Sequence, residues 1–124
     1  MNADLIAPCG MNCAVCRAYL RPLGPCRGCR WAGLNRPKTR VNCRLRTCEK
    51  RGGRFCFDCP DFPCERLKNL DRRYRTRYGM SEIKNLLAIQ AGGIRRFVAE
   101  EKRKWISAAG VLCVHDKKRY PREK

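Results

Sequence analysis

At 124 residues the chain has the length of one domain, and its 29 Lys and Arg against 11 Asp and Glu leave a formal charge of +18, an excess that speaks to polyanionic partners more than to fold. Its apolar fraction is ordinary only because 11 cysteines are counted in it, and large apolar residues are so thin over the first half that this part needs staples to hold a core. No apolar run approaches the roughly 18 residues that span a bilayer, and the opening MNADLIAPCG lacks the basic and apolar regions of a signal peptide, which predicts a cytoplasmic protein with no membrane partner and with reduced thiols.

Ten of the cysteines fall between Cys9 and Cys64. Cys9, Cys13 and Cys16 read C-x3-C-x2-C, Cys26 and Cys29 read C-x2-C, Cys43 and Cys48 read C-x4-C, and Cys56 and Cys59 read C-x2-C with Cys64 following. A C-x2-C pair aims two thiolates from one tight turn at a tetrahedral ion, and a second pair downstream closes the site. Cys13, Cys16, Cys26 and Cys29 are therefore expected to hold one Zn2+. A second Zn2+ is expected on Cys43, Cys48, Cys56 and Cys59, with Cys64 able to replace any of them and Cys9 left as a spare or alternative ligand. Exchange of pairs between the sites is open at this level, as is an iron–sulfur cluster on the same thiolates. Two tetrathiolate zinc sites, at about −2 each, leave the chain strongly basic.

Residues 1–26 are nearly neutral and broken into turns by Pro8, Gly10, Pro22, Gly24 and Pro25, with one helical turn expected between Cys13 and Leu20. Residues 27–54 carry Arg27, Arg30, Arg36, Lys38, Arg40, Arg44, Arg46, Lys50, Arg51 and Arg54 against Glu49 alone. Between Cys29 and Cys43 no period is sustained, so a basic loop is expected there with Trp31 at its base, able to cap a small core or to stack on a base.

Asp61 and Pro63 resemble a helix start, and Leu67, Leu70, Tyr74 and Tyr78 then recur on one face of a helix ending at Gly79. Arg66, Lys68, Arg72, Arg73, Arg75 and Arg77 flank that face. Ser81 caps a second expected helix with Ile83, Leu86, Leu87 and Gln90 on its inner face, stopped by Gly92 and Gly93. A third starts near Ile94 with Phe97, Val98, Glu101 and Trp105 inward. After it come a β-type run from Val111 to His115 and a polar tail, DKKRYPREK, whose Lys117, Lys118 and Arg119 are expected to order only against a partner.

Catalytic material is scarce. His115 is the single histidine, and there is no Ser/His/Asp set, no H-E-x-x-H and no phosphate loop after a strand, so an enzyme is not expected. The C-x3-C-x2-C spacing also occurs in radical S-adenosylmethionine enzymes, but these need a far larger barrel. Thiol–disulfide exchange lacks a surrounding βαβ pattern.

The run IAPCGMNCAVCRAYL, then CRGCR, then CRLRTCEKRGGRFCFDCPDFPCERLKNLDRRYRTRYGMS, and finally NLLAIQAGGIRRF with Trp105 resembles the cysteine-rich prokaryotic family known as domain of unknown function 3795. The resemblance implies zinc at the matching cysteines and no established activity. It also implies a zinc ribbon after Trp105 that is degenerate here, since only Cys113 and His115 remain.

The expectation is a small α+β, loop-rich, zinc-stapled domain: a zinc-finger-like region over residues 1–64, three short helices over 65–105, and a ribbon remnant with a basic tail over 106–124. Its expected function is non-enzymatic binding of RNA, most of all rRNA within or beside a ribosome, through the 30–54 loop, the basic helix and the tail, with no small-molecule substrate. DNA binding and a metal or redox accessory role with a protein partner are the alternatives.

Overall fold

A computed structural model of the chain describes residues 1–30, 43, 45 and 47–121. The order is a 3-10 turn at Ala3–Leu5, a second at Cys13–Val15, α1 (Arg17–Leu20), a third 3-10 turn at Cys56–Asp58, then α2 (Glu65–Arg77), α3 (Glu82–Gly92) and α4 (Ile94–Trp105). The antiparallel strands β1 (Ile106–Ser107), β2 (Gly110–Leu112) and β3 (Arg119–Tyr120) follow in that spatial order. This is a small α+β fold with a cysteine-rich N-terminal half and three helices behind it.

The two halves are joined by short-range contacts. Ala7 N–H donates to Met11 O at 2.8 Å across a turn in which Gly10 takes φ +90°. A Cβ on Gly10 would stand 2.6 Å from Glu82 O and 2.9 Å from Leu86 Cγ, so only glycine lets the cysteine turn press against the first turn of α3. Asn85 Nδ2 donates to Gly10 O at 2.9 Å. Buried Asn12 donates Nδ2–H to Glu101 Oε1 at 3.2 Å on α4, and the same oxygen accepts from Trp105 Nε1 at 3.2 Å. Ile6, Val15, Leu67, Leu86, Cys113 and Val114 are the most deeply buried apolar side chains of this shared core.

Ser81 caps α3 as expected, its Oγ accepting from Lys84 N–H at 3.1 Å. Asp71 ties α2 to that cap, accepting from Ser81 Oγ at 2.6 Å, Ile83 N at 3.0 Å and Arg75 Nε at 2.7 Å. Burial alone would raise its pKa, but these donors outweigh burial and hold the carboxyl below the usual range.

Three expectations are corrected. The first long helix begins at Glu65 with Cys64 as its N-cap, not at Asp61, because the Cys59 turn claims the preceding residues: Phe62 N–H donates to Cys59 O and Asp61 N–H to Cys59 Sγ. On α3 the buried residues are Glu82, Leu86 and Ile89, while Leu87 is 48% exposed and Gln90 is exposed; insertion of the Glu82 turn beneath Gly10 rotates the inner face by one position. The segment after β2 also differs. Cys113 to Lys118 close a turn, Tyr120 Oη donates to Asp116 Oδ2 at 2.6 Å, and Arg119–Tyr120 pair with β2, so Asp116 to Tyr120 fold back on β2 instead of leaving the domain as a tail.

Glu82 is fully buried and neither carboxyl oxygen has a hydrogen-bond partner among the described residues. Burial, reinforced by the Asp71 charge, pushes its pKa up to about 9 from 4.5. Stability from the protonated group is complete below the unfolded value and is lost as pH rises toward the folded one, at up to about 1.4 kcal/mol per pH unit. Urea unfolding between about pH 5 and pH 9 should show this decline, and Glu82→Gln should flatten it; equal slopes for the two proteins would mean that Glu82 ionises normally.

Candidate functional site

The cysteines sort by neighbourhood. Cys9, Cys13, Cys16, Cys26, Cys29 and Cys43 line one wall of a cavity of about 640 Å3. Each pair in that wall comes from a turn: Cys13 and Cys16 flank the 3-10 turn, and Cys26 N–H donates to Ala18 O at 2.8 Å, folding the second pair back onto α1. Hydrogen bonding to Cys29, then burial, pushes the Cys13 thiol well up, and burial with the neighbouring Cys29 and Cys26 raises Cys16. A separate cavity of about 20 Å3 is lined by Cys48, Cys56, Cys59 and Cys64 with Arg51, Leu45, Phe62 and Leu67. Burial pushes Cys56 up to about 11; Arg51 opposes that, and Cys64, Cys48 and Cys59 reinforce it.

The structure thus draws Cys13, Cys16, Cys26 and Cys29 into one neighbourhood and Cys48, Cys56, Cys59 and Cys64 into another. Cys43 stands with the first group, and Cys64 takes the place it was expected to hold. Cys9 also faces the first group. Among the described residues no three His, Cys, Asp or Glu side chains form a ready metal-holding group, so these are clusters of thiols rather than closed coordination shells. As donor sets they still fit a thiophilic ion, being all-sulfur and four or more strong. Burial, more than the charge of neighbouring thiols, raises the pKa of Cys9, Cys16 and Cys56.

One face of α2 lines the same cavity of about 640 Å3, with Arg66, Asn69, Leu70, Arg73, Tyr74, Arg77 and Tyr78. Arg66, Arg73 and Arg77 are exposed and have no hydrogen bond or ion pair among the described residues. Arg66 was not among the expected contact residues, although its spacing of seven and eleven from Arg73 and Arg77 was there to be read. The same holds for Arg95, Arg96, Lys102, Arg103 and Lys104, exposed on α4.

Other expected contact residues have structural duties. Arg75 is tied to Asp71, and Arg51 donates to Leu45 O at 2.7 Å and Gly53 O at 2.9 Å. Lys117 donates to Tyr78 O at 2.7 Å, Arg119 to Ser107 Oγ at 3.3 Å, and Lys50 lies 3.8 Å from Asp61. Arg72 and Lys118 are exposed, and Arg27, Arg30 and Arg54 line a further cavity of about 660 Å3 with Asp4 and Tyr19. Trp31, Arg36, Lys38, Arg40, Arg44 and Arg46 lie outside the described residues.

Cys113 is fully buried. His115 acts as a clasp: its Nδ1 accepts from Arg17 N–H at 3.1 Å and its Nε2 lies 2.8 Å from Tyr74 Oη. With Nδ1 accepting, the neutral ring carries its proton on Nε2 and donates to Tyr74. These remnants of the expected ribbon therefore pack the C-terminal hairpin against α1 and α2.

Residues 5–69 match the model of a family described as "Protein of unknown function (DUF3795)". No curated protein matches, and no solved structure does. The match spans both thiol clusters and the first part of α2, including Arg66.

Burial lowers the His115 pKa from 6.5, with Lys117 and Arg17 adding to burial and Asp116 opposing it. The unfolded chain therefore takes up this proton first, and the stability present above the ordinary value is lost as pH falls through the folded one. An NMR titration should place the His115 midpoint below the ordinary imidazole range, and amide protection of Arg119 and Tyr120 should fall over the same interval. A midpoint at or above that range would show that the clasp does not form.

Proposed function

The chain belongs to the DUF3795 family, as the match over residues 5–69 shows, and since that description assigns no activity we propose from this chain's own residues that it is a non-enzymatic, zinc-stapled protein that binds RNA in the cytoplasm, within or beside a ribosome. The observation that carries the reading is the row Arg66, Arg73 and Arg77 on one α2 face, without hydrogen bond or ion pair among the described residues and exposed beside a cavity, in a chain with a formal charge of +18. A side chain kept only for structure usually finds a carboxylate or carbonyl, as Arg51 and Arg75 do. A row of solvated guanidinium groups instead offers planar, charge-assisted donors to phosphate oxygens. Such contacts position a protein on a backbone and leave specificity to RNA shape.

Zinc, when bound, would supply a rigid tie between turns that have few apolar contacts of their own, held by Cys13, Cys16, Cys26 and Cys29 and by Cys48, Cys56, Cys59 and Cys64. One observation favours a second reading, a metal or redox accessory protein: Cys16, Cys29 and Cys43 are only half-buried at the rim of the larger cavity, where a partner's ligand could reach them.

Two measurements test this. RNA affinity should fall steeply with salt, with a log–log slope of about 0.7 per neutralised phosphate of a single strand, whereas a flat response favours the accessory role. Protein purified from its own cells should carry about two zinc ions. Cys64→Ser should lower that content by about one, while Cys113→Ser should leave it unchanged; metal-free native protein would overturn the zinc assignment.

A further inference from the structure

The cations of α4 are not all where the helix itself favours them. Lys102, Arg103 and Lys104 fall in its last turn, where positive charge meets the negative end of the helix dipole. Arg95 and Arg96 stand at the other end. There α4 has no acidic residue in its first turn, whereas α2 and α3 open with Glu65 and Glu82. A cation in a first turn opposes the dipole, and of the two only Arg96 is offset, by Glu100 Oε1 at 3.2 Å.

Arg95, Lys102 and Arg103 are exposed and make no side-chain hydrogen bond or ion pair among the described residues. Steps of seven and eight residues put them on one side of the helix, two turns or about 10–12 Å apart along its axis, with Ala99 between them. Neither α4 carboxylate is free to neutralise that side: Glu100 holds Arg96, and buried Glu101 accepts from Asn12 and Trp105. The step from Arg66 to Arg73 on α2 is the same seven residues.

Helix α3 keeps the two rows apart. It packs against both α2 and α4, which have little contact with each other. Lys84 is the single exposed charge on α3, and its other exposed side chains, Leu87, Ala88, Gln90 and Ala91, are uncharged. Packed helix axes lie about 8–10 Å apart, so rows on two helices that are not packed together are separated by more than the roughly 8 Å over which exposed charges act at physiological salt. Each row therefore attracts a polyanion on its own.

We infer that the Arg95, Lys102 and Arg103 side of α4 is a second phosphate-binding surface and, resting on the RNA reading above, that the protein engages two stretches of RNA backbone at once, one on each row. A phosphate brought to α4 also offsets the charge that Arg95 places against the dipole. A protein built this way holds two RNA segments at a set separation instead of tracking along one.

The zinc-loaded full chain can be titrated with a single-stranded RNA hexanucleotide at about 0.15 M salt, reading stoichiometry by calorimetry and arginine side-chain N–H resonances by NMR. The expected result is two oligonucleotides per protein, with Arg95 and Arg103 shifting as well as Arg66, Arg73 and Arg77. Arg95→Gln combined with Lys102→Gln and Arg103→Gln should leave one oligonucleotide, bound on α2. On a longer single-stranded RNA the same variant should lower the salt slope by about 2, three phosphate contacts at about 0.7 each. One oligonucleotide that moves the α2 arginines alone keeps the RNA reading and overturns the second surface. One oligonucleotide that moves both rows means a single strand crosses α3, and overturns the pair of segments. Absence of RNA binding overturns both readings. The three side chains brace nothing among the described residues, so the variant should unfold at the same urea concentration as the parent; a lower midpoint with unchanged stoichiometry assigns these cations to the helix end alone and overturns the inference.

Discussion

The approach of the Gly10 turn to the start of α3 is the constraint on which the rest of the molecule depends. It leaves no room for a Cβ and carries one hydrogen bond, from Asn85 Nδ2 to Gly10 O. Through it, a segment too poor in large apolar groups to fold by itself gains a helical wall. The helices in return gain Ile6, Val15 and Met11 for a core that their own faces do not complete. Glu82 is drawn into the interior as part of the same contact. Its burial without donors among the described residues is the cost of placing that turn where the cysteine turn can meet it.

The two sets of thiols differ in their surroundings in a way that matters for what each can do. The set containing Cys56 is closed in by Leu45, Phe62 and Leu67 around a space no larger than a water molecule, which suits a purely structural tie. The set containing Cys13 lines a wide cavity together with Arg66, Arg73 and Arg77. Any negative charge gathered on those sulfurs would be felt by Arg66, Arg73 and Arg77, which line the same cavity.

Much of the fold could be read from spacing. The inner faces of α2 and α4, the Ser81 cap and the stops at Gly79 and Gly92 all follow from period and capping chemistry, which are local. What could not be read is what depends on distant partners. Cysteine spacing identifies pairs but not which pairs meet, and so Cys43 and Cys64 exchange places. The inner face of α3 shifts from Leu87 to Ile89 because of a glycine some seventy residues earlier. The C-terminal hairpin depends on Gly110, where a Cβ would collide with Tyr120 O; nothing in the polarity of that tail announces the pairing. Among the cations, sequence gives sign and density but not occupation, and only the geometry separates Arg51 and Arg75, which brace backbone and cap, from Arg66 and Arg77, which brace nothing among the described residues.

Asn12 and Trp105 share one acceptor, Glu101 Oε1. An indole whose N–H competes for the same oxygen as a side chain of the cysteine turn has an environment set by whether that turn is seated. Departure of the turn opens the indole to water and frees the carboxylate to rotate toward it. The protein therefore carries an intrinsic fluorophore at the seam between its halves, one that reports their docking directly and without a label.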